Sequence, residues 1–313
     1  MKPAKSDAIH KIAPSDAPGS IAGIVLSNHD KVLYPEAGFT KRDLARYYER
    51  VGDWILPHLA QRPLTLLRCP NGWDKPCFYQ KNADKSVIDA IDRVKVPGGS
   101  VYLMANTLTA VIGLVQMGTL ELHPWGSTAD RLGAPDRLTF DLDPDDKVSW
   151  DDLKKGALLV KTLLESVGME PFLKTTGGKG LHVVVAIEPS IDWEDAKGFT
   201  KAAAELLERT FPDRFTSKLL KISRGGKIFI DYLRNAEGAT AVGAYSIRAR
   251  ANAPVSTPME WSELGRDVRF DYFNIAAVMK RVAKLKRDPW AKMAAAARPL
   301  DKAMMAKVGY RRK

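Results

Sequence analysis

Two aspartates that lie two residues apart are the feature of this sequence best suited to chemistry. Asp141 and Asp143 belong to the alternating run Leu138–Pro144, and alternate side chains of a strand point to the same face. The apolar residues between them then face a core. Two neighbouring carboxylates repel each other, and a divalent cation that prefers oxygen ligands relieves the repulsion. The pattern predicts a Mg²⁺ or Mn²⁺ site, with a surface strand ending in an acidic turn as the alternative.

A third carboxylate lies in a second apolar pattern, Lys227–Leu233. There Asp231 shares a face with Phe229, whereas the two isoleucines of this pattern face the other way. A carboxylate in such an apolar strand is costly to bury unless it is paired or binds a metal. Asp231 is therefore a candidate third ligand, and a salt bridge to a nearby arginine is the alternative.

A glycine-rich loop, Thr175–His182, offers groups that suit a triphosphate. Its glycines let the backbone approach a ligand closely, so that successive N–H groups can hold phosphate oxygens. Lys179 adds a positive charge, and His182 follows on the strand that leaves the loop. An ordinary β-turn beside a histidine at the edge of the core is the alternative.

Arginines flank the third carboxylate on both sides. Arg224 precedes it, and Arg248 and Arg250 follow two residues apart, which predicts that they share one face of a strand. Guanidinium groups suit phosphates of a nucleotide or of a nucleic-acid backbone, although a solvated basic edge strand is the alternative. Carboxylates, loop, histidine and arginines together are typical of two-metal nucleotidyl transfer, in which one ion activates a 3′-hydroxyl and the other stabilises the leaving pyrophosphate.

The elements that must position these residues form a mixed pattern without a regular βαβ rhythm, which predicts the α+β class. Thr40 is expected to cap a helix, with Asp43 completing a capping box. The predicted strands are 64–68, 120–123, 138–143, 172–176, 181–187 and 227–233. The predicted helices are 150–168, 193–210, 270–286 and 289–305.

The stretch from Val101 to Leu120 carries no charge over a length close to that of a membrane span. It also contains several polar residues and two glycines, so it predicts a buried core helix rather than a span. Asn106 or Thr107 would be the N-cap of this helix.

The composition of the chain indicates the chemical class of its partner and the cellular compartment. The 313-residue chain has a formal charge of +11, which suits a polyanionic partner such as nucleic acid. The spacing of Cys69 and Cys77 fits neither a zinc site nor a disulfide framework, so free thiols in a reducing cytoplasm are expected. No signal peptide is visible, and residues 1–20 read as a flexible tail or linker.

Three of these motifs together resemble the signatures of the archaeo-eukaryotic primase superfamily. They are Phe140-Asp-Leu-Asp-Pro144, Thr176-Gly-Gly-Lys-Gly-Leu-His182 and Ile230-Asp-Tyr232. The chain is especially similar to the polymerase domain of bacterial DNA ligase D, which repairs double-strand breaks by end joining. Further segments that fit this subfamily are Leu26–Glu36, Glu121–Gly126 and Tyr245–Arg250.

The resemblance implies a primase-polymerase fold, with a central RRM-like catalytic sheet packed against a second α/β module and C-terminal helices. The N-terminal module would span about 21–130, the catalytic module about 131–270 and the helices about 270–313. It also implies two bound ions, Mn²⁺ or Mg²⁺, and an NTP or dNTP substrate. The implied metal ligands are Asp141, Asp143 and Asp231, with His182 also catalytic.

The same resemblance assigns roles to the other matching positions. Nucleotide-binding residues would be Arg68, His123, Thr176, Lys179, Arg224, Arg248 and Arg250. Phe78 and Tyr79 would stack on a template or incoming base, and Asn28, Lys31 and Lys41 would bind the 5′-phosphate of a broken DNA end. Arg234 receives no role. The implied partners are broken DNA, a ligase domain in cis or in trans and, as a further candidate, a Ku-type protein; no membrane is expected.

The predicted activity is template-dependent extension of primers and filling of gaps at double-strand breaks, in a bacterial cytoplasm and close to the nucleoid. A DNA-end-binding module with secondary or lost catalysis is the alternative from a different class. A metal-dependent nuclease would share the carboxylates but leaves the triphosphate-type loop without a purpose. No Lys-x-Asp-Gly adenylation motif occurs, so an excised polymerase domain and a stand-alone protein both remain open.

Overall fold

The structure is a computed structural model that describes residues 20–84, 87–220, 224–265 and 272–312. Most of the predicted tail, residues 1–19, lies outside this described part. The strands in it are β1 Ser20–Ile21, β2 Ile24–Val25, β3 Val32–Tyr34, β4 Phe39–Thr40, β5 Leu64–Arg68, β6 Phe78–Gln80, β7 Asp92–Lys95, β8 Val101–Met104, β9 Thr119–Pro124, β10 Arg137–Pro144, β11 Pro171–Thr175, β12 Leu181–Ala186, β13 Phe215–Thr216, β14 Ile228–Asp231 and β15 Pro258–Met259.

The α-helices of the described part are interleaved with these strands, which confirms the α+β class. They are α1 Lys41–Arg50, α2 Gly52–Leu59, α3 Leu108–Gln116, α4 Trp150–Ser166, α5 Trp193–Thr210, α6 Ile275–Val282 and α7 Lys302–Lys307. Short 3₁₀ turns lie at Tyr232–Asn235, Trp261–Gly265 and Ala294–Ala296.

The larger sheet contains the acidic motif at its centre. Its six strands follow the order β13-β14-β10-β12-β11-β15, and every pair except β13 with β14 is antiparallel. Apolar residues of β10, Leu138, Phe140 and Leu142, are fully buried on the face that α4 and α5 cover. The alternation predicted for β10 is therefore confirmed, and its other face is left for polar side chains.

A second sheet, of order β6-β5-β8-β7 with β9 also paired to β5, forms the N-terminal part. Helix α1 begins at the predicted capping box, because Thr40 and Asp43 satisfy each other's backbone N–H groups. One apolar core runs continuously through both sheets. The division of the chain at about residue 130 remains a prediction.

Several local predictions were wrong. In the uncharged stretch 101–120, the predicted buried helix with Thr107 as its N-cap is confirmed as α3, but it covers only part of the stretch, because β8 precedes it and the start of β9 follows it. A short apolar run is compatible with a buried strand as well as with a helix, and Gly118, at φ +83°, turns the chain between them. No helix in the described ranges is long and apolar enough to cross a membrane.

The C-terminal helices and the cysteines also differ from expectation. In place of helices over 270–286 and 289–305, the described chain has the short α6, a 3₁₀ turn and α7. Cys69 and Cys77 are not free but form a disulfide across the turn between β5 and β6, with their Cα atoms 4.4 Å apart. The pairing of β5 with β6 brings the two residues together, which their spacing alone does not reveal.

Candidate active site

Four polar residues form a row across neighbouring strands of the larger sheet. Asp141 of β10 pairs directly with Asp231 of β14 on one side and with His182 of β12 on the other. Lys174 of β11 in turn pairs with His182. Directly paired residues of antiparallel strands share a face, so the backbone register alone places these four side chains in line.

Asp143 lies on the same face as this row, because it is two residues from Asp141. Its carboxylate accepts a hydrogen bond of 2.6 Å from Arg224, whose guanidinium lies 4.2 Å from the centre of the Phe229 ring. Phe229 is the residue paired with Asp143 across β10 and β14. The three predicted carboxylates thus come together at one end of two adjacent strands.

Arg234, to which the sequence assigned no role, lies between two of these carboxylates. Its Nε is 3.1 Å from an oxygen of Asp141 and 3.2 Å from an oxygen of Asp231. Each of the three carboxylates is therefore paired with a guanidinium, from Arg234 or from Arg224. The alternative interpretation, a salt bridge between Asp231 and a nearby arginine, is confirmed. This contact does not exclude metal binding by Asp231.

The pKa values of the two paired aspartates move in opposite directions. Burial raises the pKa of Asp141, but His182 and Arg234 outweigh it and hold that pKa well below its usual value. Burial raises the pKa of Asp231 above its usual value, with Arg234 opposing the shift and Asp141 adding to it. Asp141 is therefore firmly ionised at neutral pH, whereas Asp231 is the carboxylate that most needs a neighbouring cation.

His182 is buried beside the carboxylates and contacts Asp141, with its Nε2 3.3 Å from an Asp141 oxygen. Burial and the neighbouring Lys174 lower the pKa of His182 to about 4. The imidazole is then neutral at pH 7, with Nε2 donating toward Asp141 and Nδ1 left as an acceptor. That Nδ1 is buried without a hydrogen-bond partner.

Lys174 is a site residue that the sequence analysis missed. Its ammonium is buried and donates a 2.6 Å hydrogen bond to Ser256. Burial and the neighbouring Arg248 lower the pKa of Lys174 well below its usual value. Its position immediately before the glycine-rich loop was the signal that could have identified it.

The glycine-rich loop turns the chain from β11 to β12 above this row. The Thr176 hydroxyl accepts a hydrogen bond from the N–H of Gly178 and donates one to the carbonyl of Gly180. A Cβ at Gly180 would lie 2.5 Å from the Leu142 carbonyl oxygen, so this position requires glycine. Lys179, at the tip, forms a salt bridge with Asp146.

Arg248 is fixed by contacts from both sheets. Its guanidinium contacts the Thr176 carbonyl and forms an ion pair with Glu121 of β9, 3.0 Å away. His123 donates a 2.7 Å hydrogen bond to the same carboxylate. Burial raises the pKa of Glu121, but His123 and Arg248 outweigh it and lower that pKa to about 2. The sequence analysis did not single out Glu121.

The predicted strand for Arg248 and Arg250 was wrong. That segment makes only an isolated bridge, Ile247 with Val255, and Tyr245 adopts a positive φ of 62°. The Tyr47 hydroxyl donates a hydrogen bond to the Tyr245 carbonyl, and the Tyr34 hydroxyl donates one to the Arg248 carbonyl. Packing against the N-terminal helix and strand, not a sheet, therefore positions the two arginines.

These residues surround a cavity of about 900 Å³, within the upper range of small-molecule sites. Predicted residues that line it are Asp141, Asp143, Asp231, His182, His123, Thr176, Lys179, Arg224, Arg248, Arg250 and Tyr79. Acidic side chains lie on its floor, and basic ones lie in the loops around it. Such a cavity can hold a polyanion against cations bound to the acidic floor.

Two other predicted residues lie outside the lining of this cavity. Phe78 is exposed beside Tyr79 on β6, and the guanidinium of Arg68 lies 5.3 Å from its ring centre. Arg68 donates hydrogen bonds of 2.9 Å to the Met117 carbonyl and to Gln80. The exposed aromatic pair suits base stacking, whereas Arg68 supports the strand that presents it.

The predicted phosphate-binding residues form a separate cluster. Lys41 is buried, and its ammonium donates to the Ser27 carbonyl at 2.9 Å, while Lys31 donates to Asn71 at 2.7 Å. Asn28 adopts a positive φ of 48° in the turn that carries Lys31. Burial and the proximity of Lys31 lower the pKa of Lys41. A bound anion would relieve the repulsion between these two ammonium groups.

The acidic floor fits a divalent cation by the chemistry of its donors. Carboxylate oxygens suit Mg²⁺ and Mn²⁺, and positive charge already lies between Asp141 and Asp231 in the form of Arg234. As they are oriented, no three His, Cys, Asp or Glu side chains of the described residues form a metal-binding group.

Comparison with known proteins identifies relatives for most of the chain. The family model of the LigD primase-polymerase domain matches residues 40–290. A multifunctional non-homologous end joining protein LigD of Pseudomonas aeruginosa is 37% identical over 292 residues, which cover 92% of this chain and 35% of the relative. The LigD of Mycobacterium tuberculosis is 34% identical, and the match covers 83% of this chain and 36% of that protein.

A solved structure agrees with these sequence matches. The polymerase domain of Mycobacterium tuberculosis ligase D, in complex with DNA, superposes with a TM-score of 0.81 at 32% identity. The match covers 87% of this chain and 98% of that one. The chain thus spans about a third of the length of the two LigD relatives, and nearly all of one isolated domain.

Proposed function

The chain belongs to the LigD primase-polymerase family, and from this membership and the geometry of the site we propose that it is a template-dependent polymerase. It adds ribo- or deoxyribonucleotides to primer 3′ ends and fills gaps at double-strand breaks during non-homologous end joining. The observation that carries the proposal is the row of Asp231, Asp141 and His182, with Asp143 beside it, on the floor of a basic cavity.

The basic residues around the cavity bind the triphosphate of the incoming nucleotide. Lys179 at the loop tip and Arg248 beside the loop approach it from one side, and Arg250 adds a further guanidinium. Arg224 reaches it after leaving Asp143. Backbone N–H groups of the glycine-rich loop supply neutral donors, and Thr176 holds that loop closed.

Asp141, Asp143 and Asp231 hold two divalent cations, Mn²⁺ or Mg²⁺. When bound, these ions lower the pKa of the primer 3′-hydroxyl and neutralise charge on the triphosphate and the leaving pyrophosphate. His182 fixes the orientation of the Asp141 carboxylate through its Nε2 proton. His123, held by Glu121, lies close to Tyr79 in the wall of the cavity, where a sugar or base would lie.

Tyr79 and Phe78 stack on bases of the template or of the incoming nucleotide. Their side chains are 65% and 48% exposed, which leaves their faces open to a ligand. Stacking on an aromatic ring tolerates any base, as a template-directed enzyme requires. The cluster of Asn28, Lys31 and Lys41 binds the 5′-phosphate at the far side of a gap.

The relatives named above are longer than this chain, and their names describe multifunctional end joining proteins. We therefore expect a ligase domain to act with this polymerase, in cis or in trans, and a Ku-type protein to bring it to broken ends. End joining takes place where bacterial DNA is, so the proposed location is the cytoplasm, near the nucleoid.

A primer-extension assay tests the proposal. The double variant Asp141→Ala, Asp143→Ala should lose incorporation of labelled nucleotide in Mn²⁺ by at least about 100-fold, because the acidic floor binds the catalytic cations. The matched control is Glu165→Ala, Glu205→Ala, which removes two carboxylates from exposed helix surfaces. Undiminished extension by the aspartate variant would refute the proposed role.

A DNA-end-binding module is the second candidate function, and the separate Lys31 and Lys41 cluster favours it. It predicts binding that depends on a 5′-phosphate, without incorporation of nucleotide by the intact chain. The same assay separates the two, because a polymerase extends the primer on the DNA that it binds.

A further inference from the structure

The strand that carries Asp231 ends in a single 3₁₀ turn, Tyr232–Asn235. Side chains three residues apart lie above each other in a 3₁₀ helix. Arg234 is therefore directed back over Asp231 by the local backbone, and from there it also reaches Asp141 on the next strand. The contact follows from the geometry of the turn and not from a chance conformation of a long side chain.

The turn is held firmly against the neighbouring strand. The Asn235 amide accepts a 2.7 Å hydrogen bond from the Thr139 N–H and donates one of 2.8 Å to the Thr139 carbonyl. The Asp231 carboxylate also accepts a 3.0 Å hydrogen bond from the Leu233 N–H. Thr139 is two residues before Asp141, so the anchor fixes Arg234 in register with both carboxylates.

We propose that Arg234 is a built-in counter-ion of the acidic row, which holds the position of a divalent cation until the metal displaces it. This inference rests on the proposed function, because it assumes that the row binds metal. Arg234 is then a positioning residue. It neutralises the negative charge of Asp141 and Asp231 while the metal is absent, and its competition with the metal sets the affinity of metal binding.

The distances show that the Arg234 guanidinium and a divalent metal ion cannot occupy the same position between the carboxylates. Arg234 Nε lies 3.1–3.2 Å from one oxygen of each carboxylate, and a cation bridging the same oxygens would bind them at about 2.0–2.6 Å. The ion would then contact the guanidinium directly, with strong repulsion between like charges. The side chain of Arg234 is 42% exposed, so it has a way out toward solvent.

Mn²⁺ binding in the absence of DNA and nucleotide tests the inference. Electron paramagnetic resonance of free Mn²⁺ would compare the unmodified chain with Arg234→Gln, Arg234→Lys and the control Arg46→Gln. Arg46 lies on α1, outside the lining of the cavity, and its removal changes the net charge equally. The Gln variant should bind Mn²⁺ about tenfold more tightly, because no guanidinium competes for the carboxylates.

Thermal unfolding gives a second readout. Without metal, Arg234→Gln should melt at a lower temperature than the unmodified chain, because its carboxylates repel each other without a counter-ion. Mn²⁺ should then raise its melting temperature by more than that of the unmodified chain, since tighter binding stabilises the folded state more. If Arg234→Gln does not fold, Arg234→Lys serves instead, with an expected gain in affinity of about threefold, because an ammonium keeps the charge but not the planar group that contacts Asp141 through Nε and the Thr240 carbonyl through Nη1.

The outcomes distinguish this inference from the function on which it rests. Equal or weaker Mn²⁺ binding by the folded Arg234 variants would overturn the inference alone, while the polymerase proposal would stand. If the unmodified chain and all variants fail to bind Mn²⁺, the proposed metal site is refuted, and the inference with it. Tighter binding by the Gln variant and unchanged binding by Arg46→Gln would support both.

Discussion

The buried carboxylates of the active site are paired with basic side chains of other strands or loops. Asp141 lies between His182 and Arg234, and Glu121 lies between His123 and Arg248. Burial of these carboxylates costs little folding free energy only while their basic partners remain in contact with them. In the proposed function, a bound cation or polyanion would exchange one of these internal contacts for a contact of its own.

The pH dependence of stability tests the pairing of Glu121. Its folded pKa of about 2 is depressed, so its contribution to stability is present above the unfolded pKa of about 4.5 and is lost as the pH falls toward 2. The free energy of unfolding of Glu121→Gln should be lower than that of the unmodified chain by about 2–3 kcal/mol at pH 6.

Urea titrations at pH 6 and pH 3.5 would measure this difference. It should narrow by roughly 1–2 kcal/mol at the lower pH, because at pH 3.5 Glu121 is mostly protonated in the unfolded chain, while its folded pKa of about 2 keeps it ionised in the folded chain. A difference that stays constant between the two pH values would contradict the depressed pKa. Glu165→Gln, at an exposed carboxylate, is the control.

At the scale of elements, the conformation of the loop between β11 and β12 requires close packing of Gly180 against β10. A methyl group at Gly180 would press on the Leu142 carbonyl, and such overpacking costs typically about 1–3 kcal/mol. Gly180→Ala should lower the melting temperature and weaken nucleotide binding, as measured by calorimetry. Gly133→Ala, where the added methyl group meets nothing within 4 Å, should change neither; equal behaviour of the two variants would refute the requirement.

The sequence predicted the elements whose apolar residues form a local pattern, either periodic or continuous. Helix α5 has the predicted bounds, and β10, β11 and β12 lie within one residue of theirs. It failed where distant contacts decide the conformation: the segment of Arg248 is shaped by tyrosines of the N-terminal part. Glu121 and Arg234 were missed for a related reason, because each also contacts a partner far away in sequence, Arg248 and Asp141 respectively.

At the scale of the whole molecule, the proposed function assigns two basic sites to two ends of one DNA substrate. The cavity of about 900 Å³ would hold the primer end and nucleotide, and the Lys31 and Lys41 cluster would hold a 5′-phosphate. A net charge of +11 attracts DNA of any sequence. In this proposal, the 5′-phosphate cluster would give specificity for gaps, and the acidic row would carry out the chemistry.

The phosphate cluster makes a separate prediction. The unmodified chain should bind gapped DNA with a 5′-phosphate about tenfold more tightly than the same DNA with a 5′-hydroxyl, because charge-assisted contacts are lost without the phosphate. Lys31→Gln, Lys41→Gln should abolish this preference in fluorescence-anisotropy titrations. Lys155→Gln, Lys201→Gln removes two partly or mostly exposed lysines from helices and should keep it. A preference that survives in the Lys31, Lys41 variant would rule out this site.

The most direct measurement of the central claim is single-nucleotide incorporation on four gapped DNA substrates that differ only in the template base. With Mn²⁺, the unmodified chain should extend the primer 3′ end mainly by the nucleotide complementary to each template base, and chelation of the metal should stop the reaction. Binding of the DNA without incorporation, degradation of the primer, or addition that ignores the template base would contradict a template-dependent polymerase.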